Sequence, residues 1–300
     1  MRALLLRNSN VVYETAVEKP KLTSIRNVLV KVHYAGICRT DIGIAKGAVP
    51  AKDNIILGHE FCGEIAGFLN GEEKMGELMV GDAVSANPMA FGCDGDTMCG
   101  KDCDGAFAEY IAVPSAALVV LPPRLLTPLG AFLEPVAAAL APLKYINGRT
   151  CIFGKSRIAE LTYQVAKAMG YDHVERITHV SDFQDSTYDC IIETEPHHID
   201  AYAAALRPGG LLVLKSRSFD ASSFTANTIA MKELRIQGAR YGDFQLASHL
   251  LSGDYQLGWW MTGDGCWWFG NVYDLAAFET AFAEAEQPDS KKTFFKICAE

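Results

Sequence analysis

A thiol at Cys38, an imidazole at His59 within Leu57-Gly58-His59-Glu60, and a carboxylate at Glu134 within Phe132-Leu133-Glu134-Pro135 are the residues best suited to chemistry. Thiolate, imidazole and carboxylate are the ligand types zinc takes in catalytic sites that keep one position open. An ion with an open position polarises an oxygen or lowers the pKa of a bound water, so an enzyme is expected. Cys93, Cys99 and Cys103 form a second cluster. In a reducing compartment such a cluster points to metal ligation more than to disulfides.

Composition narrows the rest. The chain has 300 residues, 49% hydrophobic and 21% charged, an ordinary globular composition with room for two domains. Its net charge of -9 argues against nucleic acid and anionic membrane surfaces, both of which need a basic face. The most apolar stretch, Ala116 to Leu143, is broken by Pro122, Pro123, Arg124, Pro128, Glu134 and Pro135, a poor membrane span. Arg7 follows only four apolar residues from Ala3, so a signal-peptide core is not expected. The expected compartment is the cytoplasm. Cys151, Cys190, Cys266 and Cys298 stand in apolar surroundings and read as small buried hydrophobes.

Three regions must position these groups. Residues 1–147 read as β-rich: Val28–Val32, Gly63–Phe68, a turn at Gly81 entering a strand, and Phe107–Val113 are strand candidates. Residues 148–257 alternate strand and helix. Thr150–Phe153 is a short apolar strand, Ile158–Met169 has helical spacing, Gly170 suits a helix stop, and Asp189–Glu193 is a buried-strand pattern. His198–Leu206 is a helix candidate stopped by Pro208-Gly209-Gly210, before a strand at Leu211–Leu214. That alternation implies a parallel sheet with helices on its faces. Residues 258–300 complete the first region, with an amphipathic helix over Asp274–Glu286 and a strand over Thr293–Ile297.

Gly36-Ile37-Cys38-Arg39-Thr40-Asp41, Leu57-Gly58-His59-Glu60, Asp104 to Tyr110 and Leu133 to Leu140, in this order, resemble the zinc-dependent medium-chain alcohol and polyol dehydrogenases. The resemblance covers nearly the whole chain. It implies an α/β plus β fold: a GroES-like β-rich catalytic domain with an inserted, truncated, doubly wound Rossmann domain. It implies catalytic zinc on Cys38, His59 and either Glu60 or Glu134, with Glu60 also readable as an alternate ligand that exchanges with water. Thr40 matches the hydroxyl that relays the alcohol proton, Asp41 a residue that orients a ligand, and Arg39 a contact to the cofactor pyrophosphate. Gly43 departs from the histidine that often passes the proton outward. The family's structural zinc lobe has Cys-x2-Cys-x2-Cys-x7-Cys, against Cys93-x2-Asp96-x2-Cys99-x3-Cys103 here. Zinc accepts a carboxylate in such a set, with Asp94 and Asp102 as competing donors. The bland reading is a trimmed loop with three free thiols.

The nucleotide region departs further. A Rossmann loop uses Gly-x-Gly-x-x-Gly for a tight turn, close approach of pyrophosphate and tight helix packing. This chain has Gly154-Lys155-Ser156-Arg157-Ile158-Ala159. The helix N-terminus still offers N–H groups to an anion, so these six residues and Thr194 are the expected contacts for NAD or NADP. Only 18 residues, Tyr171 to Tyr188, separate Gly170 from the next apolar strand. A strand-helix-strand unit takes roughly 30, so an element on the adenosine side is expected to be missing. Thr194-Glu195-Pro196 replaces a small pair, and Glu195 either repels phosphate or points to solvent. His197-His198 reads as a solvated helix start. Trp259, Trp260, Trp267 and Trp268 read as core, or as a pocket or subunit interface. The expected function is zinc-dependent hydride transfer between NAD(P) and a small secondary alcohol, polyol or amino alcohol, or the matching ketone. The alternatives are a zinc lyase, isomerase or hydrolase that has lost nicotinamide, and a non-enzymatic scaffold. A homodimer is expected from the resemblance.

Overall fold

The computed structural model describes residues 1–24, 26–92, 95–217, 223–253 and 268–298. The chain divides into one unit of residues 1–134 with 248–300, and another of residues 135–247. Sequence alone suggested boundaries at 147/148 and 257/258.

The first unit is built around the strand Asn27–Gly36. Val28, Val30 and Val32 are fully buried while their neighbours are partly exposed, the period-two pattern of a half-buried strand rich in β-branched residues. It pairs antiparallel with Glu60–Gly67, Tyr110–Pro114 and Lys292–Lys296. The full sheet has seven strands. A smaller sheet joins Asn10–Glu14, Ala3–Arg7 and Ile55–Ile56. The core between them holds Leu4, Ile37, Phe61, Ile65, Phe107 and Phe295, with the Phe107 and Phe295 rings edge-on at 5.1 Å. The expected C-terminal helix is a 3-10 turn at Leu275–Ala277, capped by the Asp274 carboxylate, followed by an α-helix at Phe278–Glu286.

Register makes the first unit a platform for chemistry. Gly36 lies opposite Glu60, and Phe294 lies opposite Gly36 on the other side. The chain leaves the first strand at Gly36 and reaches Cys38 two residues later, so Cys38, His59 and Glu60 meet at one end of the sheet despite 21 residues between the first two.

The second unit is a five-stranded parallel sheet in the order Glu175–Ile177, Thr150–Phe153, Tyr188–Glu193, Leu206–Leu214, Arg235–Gly238. Thr150–Phe153 is wholly buried, and Leu161 and Val165 of the helix Arg157–Ala168 are buried too. Gly170 follows the helix cap at φ +83°, the left-handed position glycine favours. Between Ile177 and Tyr188 there is only a 3-10 turn at Val180–Asp182, in keeping with the short residue count. Glu175–Ile177 is therefore an edge strand, which explains its charges: Arg149 pairs with Glu175, and Arg176 with Glu160. The helix expected to reach Leu206 ends at Ala205. Leu206 already pairs with Tyr188, and the next aligned pair is Leu211 with Cys190, so Arg207–Gly210 bulge out within a strand rather than precede it. Among the described residues, no helix is long and apolar enough to cross a membrane.

Candidate functional site

Cys38, His59 and Glu60 each offer a ligand atom, and these atoms lie within 4.8 Å of one another. Tetrahedral zinc with bonds of roughly 2.0–2.3 Å needs them only slightly closer. Asp41 stands behind them, fully buried. Its Oδ2 accepts the Cys38 backbone N–H at 2.8 Å, and its Oδ1 lies 3.2 Å from His59 Nδ1. That contact sets a carboxylate beside the imidazole, the relation in which a carboxylate orients a ligand histidine. Burial opposes a charge on His59, but Asp41 and Cys38 outweigh it and raise its pKa well above the ordinary value. Three anionic or polarisable donors held in a buried pocket, with a carboxylate behind the imidazole, fit a zinc ion.

Glu60 has a cationic partner, Lys292, itself buried and donating to the Ile37 carbonyl at 2.9 Å. A Cβ at Gly36 would fall 2.5 Å from Glu60 Oε2 and 2.9 Å from Lys292 Cε, so the pair occupies space that only glycine leaves. Burial raises the Glu60 pKa, Lys292 lowers it, Glu134 raises it again, and the net direction is up. Glu134 is thus electrostatically close to Glu60, buried in the first turn of the helix Leu133–Leu140, but it is not in the converging set of three. Lys292 was missed in the sequence. Its signal was the period-two relation to buried Phe294, which puts it on the same strand face.

Other expected residues are placed differently. Thr40 is half-buried in the first turn of the helix Arg39–Ala45. Arg39, expected at the pyrophosphate, donates to the Glu286 and Gln287 carbonyls at 2.6 and 2.8 Å and so holds the end of the C-terminal helix. In the second cluster, Cys93 lies outside the described residues. Asp96 is exposed whereas Cys99 is fully buried, and with Cys103 they form no converging ligand group among the described residues. The shortened loop explains the divergence: Asp102 is used on the Met98 N–H and Asp104 on the Ile56 N–H. Burial pushes the Cys103 thiol up to about 11, with Asp104 and Asp102 adding to it. Of the tryptophans, Trp268 is buried near Phe132, with ring centroids 6.2 Å apart, and the other three lie outside the described residues. The His198 ring packs edge-on against Phe153 and Tyr202 at the start of the helix Ile199–Ala205.

In the second unit, Gly154 adopts φ +141° where the strand Thr150–Phe153 turns into the helix. A Cβ there would lie 2.1 Å from Thr194 Oγ1, so the turn requires glycine. Ser156 caps the helix, accepting the Ala159 N–H at 3.4 Å. Thr194 donates to the Phe153 carbonyl at 3.0 Å and lies 3.2 Å from Ser156 Oγ. Lys155 is exposed, Arg157 and Ile158 are half-buried, and Ala159 is buried against the turn. The Lys155 N–H is donated at 2.6 Å to Glu195 Oε1. Glu193 is fully buried, accepting from the Lys215 and Ser216 backbone and from the Ser216 hydroxyl; burial raises its pKa despite these bonds. Strand, glycine turn and helix N-terminus suit the diphosphate of a dinucleotide.

Residues 24–123 match the alcohol dehydrogenase GroES-like domain. Across the chain, a probable D-xylulose reductase A from Emericella nidulans is 27% identical over 325 aligned residues, covering 89% of this chain and 86% of that protein. A sorbitol dehydrogenase from Halalkalibacterium halodurans is 31% identical, covering 57% and 54% respectively. The crystal structure of galactitol-1-phosphate dehydrogenase from Escherichia coli superposes with a TM-score of 0.81 at 22% identity, covering 99% of this chain and all of that one.

Proposed function

Since the chain belongs to the zinc-containing medium-chain alcohol and polyol dehydrogenase family, we propose that it interconverts a small secondary alcohol, polyol or amino alcohol with its ketone, using NAD or NADP. The observation that carries this reading is the convergence of half-buried Cys38 with buried His59 and Glu60, with Asp41 beside the imidazole. When bound, zinc supplies Lewis acidity that eases loss of the hydroxyl proton, and nicotinamide supplies the hydride acceptor or donor. The chain's own residues do the rest. Cys38, His59 and Glu60 hold the ion, and Asp41 keeps the His59 ring and its tautomer in place. Thr40, next to Asp41 in the first turn of the helix, takes the alcohol proton as a relay. Gly154 to Ala159 and Thr194 hold the cofactor diphosphate and its neighbouring ribose. The enzyme works as a homodimer on a diffusible small molecule in the cytoplasm.

The test joins metal analysis to turnover. The purified protein is expected to carry a zinc ion that Cys38→Ser and His59→Ala each remove, with oxidation of polyols lost in parallel. Retention of full zinc by both variants, with catalysis intact, would sink the assignment.

A second reading keeps zinc but dispenses with nicotinamide, leaving a lyase, isomerase or hydrolase. The three-residue edge strand Glu175–Ile177 favours it, because the sheet ends on the side that would carry the adenosine half. Nicotinamide fluorescence titration separates the two, since only the dehydrogenase binds the reduced cofactor.

A further inference from the structure

The Lys155 N–H sits where a strand turns through glycine into a helix, the position from which a backbone donor meets a nucleotide phosphate. Here that donor is taken by the chain itself, through Glu195 Oε1 at 2.6 Å. The same oxygen lies 3.2 Å from where a Cβ on Gly154 would be, so it fills the close-approach space that glycine opens. The carboxylate is not a loose surface group reaching in. The Glu195 carbonyl accepts the Tyr202 hydroxyl at 2.6 Å, and Tyr202 is fully buried, packed edge-on against Phe153 at 5.2 Å and Phe183 at 5.9 Å. Pro196 follows and restricts the Glu195 backbone to extended geometry. Thr194, one residue earlier, is bonded to the Phe153 carbonyl. The backbone on both sides of the carboxylate is therefore fixed, and the side chain is presented to the loop.

We propose that Glu195 is the specificity-determining residue of the nucleotide loop: its carboxylate stands in for a phosphate oxygen on the Lys155 N–H, and a dinucleotide binds only by displacing it. This rests on the dehydrogenase reading for the site, and it assigns the residue that sets cofactor affinity. A carboxylate and a diphosphate cannot share one donor without like-charge repulsion. Removing the charge removes both the competitor and the repulsion. The effect is confined to ligands that carry phosphate.

The experiment uses the full-length protein and measures NADH and NADPH affinity by nicotinamide fluorescence, with no substrate and no turnover. Glu195→Gln keeps the shape and the hydrogen-bond acceptor, and Glu195→Ala removes both. Glu233→Gln, an exposed residue of the same unit, removes one charge elsewhere as the control. The expected result is a gain in affinity of at least about tenfold for Glu195→Gln and Glu195→Ala, and none for Glu233→Gln. If the wild type fails to bind and Glu195→Gln binds, the role of Glu195 stands while the dehydrogenase reading falls. If the wild type binds and Glu195→Gln binds no better, the dehydrogenase reading stands and the role of Glu195 is overturned. Absence of binding by every variant overturns both, as does a gain in Glu233→Gln equal to that in Glu195→Gln for the role of Glu195.

Discussion

Replacing Lys292 with methionine removes the buried cation that pairs with Glu60. The Lys292 and Glu60 side chains are 7% and 2% exposed, so solvent screens their interaction little. Methionine preserves the aliphatic stem and removes the charge. Glu60 is then left buried, with Glu134 as its nearest electrostatic neighbour of the same sign. Breaking a buried pair by removing one partner typically destabilises by about 3–5 kcal/mol, because the other charge stays uncompensated. The protein should be stripped with chelator first, so that no cation replaces the ammonium. Trp268 is buried in the first unit, so its fluorescence during urea unfolding follows that unit. The expected loss for Lys292→Met is about 3–5 kcal/mol, of which Glu60→Gln in the same chain restores at least roughly half, because it removes the orphaned charge. A loss below about 1 kcal/mol, or a double variant no more stable than Lys292→Met, would refute the claim that the two groups compensate each other.

Three further outcomes test other parts of the site. Asp41→Asn should weaken zinc binding by about 10–100-fold in a chelator competition, since the partner that orients His59 is altered while the ligands remain. Gly58→Ala should destabilise the first unit by more than about 1–3 kcal/mol in urea unfolding, because Gly58 has φ +92° and an added Cβ would fall 2.4 Å from the Phe107 ring. Glu64, Glu109 and Glu284 are all in the first unit; burial raises each, but hydrogen bonds and cations outweigh it and lower their pKa. Depressed carboxylates stabilise the fold above their unfolded pKa and lose that contribution as pH falls through the folded value. Tryptophan-monitored stability should accordingly drop as pH is lowered below about 4.5.

Residue chemistry and spacing made much of this legible. Cys38 and His59 stood out because, with a carboxylate, they make up the donor types zinc takes in open catalytic sites. The resemblance favours Glu134 as the third ligand with Glu60 as the alternate, whereas the carboxylate that converges with Cys38 and His59 is that of Glu60. That convergence follows from the register that sets Gly36 opposite Glu60, and register is a long-range property. The shortened parallel sheet was readable because a count of residues bounds what can be built between two strands. The charges of Glu175 and Arg176 would not suit a central parallel strand, and the edge position accommodates them. Arg39 shows how little a motif position says of a side chain's contacts. Motif position suggested a phosphate contact, but the guanidinium is bonded to backbone carbonyls 247 and 248 residues away. Glu195 lay in between: its departure from a small residue was visible, yet only the folded turn shows which N–H its carboxylate takes.

The strand Lys292–Lys296 carries a consequence for how the protein is made. It lies inside the seven-stranded sheet, between Asn27–Gly36 and Phe269–Tyr273, and its Thr293 carbonyl accepts the Ile37 N–H just before Cys38. During synthesis from the N-terminus, Cys38, His59 and Glu60 leave the ribosome more than two hundred residues before that strand exists. Residues 135–247 form a unit with its own sheet, free to fold while the earlier segment waits with an open sheet edge and an unneutralised Glu60. The geometry proposed to hold the metal is thus complete only once the strand Lys292–Lys296 has emerged and docked. A nascent chain stalled short of Lys292 would expose that edge to aggregation, and a C-terminal fusion that hindered docking of the final strand would yield protein with an intact parallel sheet and poor zinc retention.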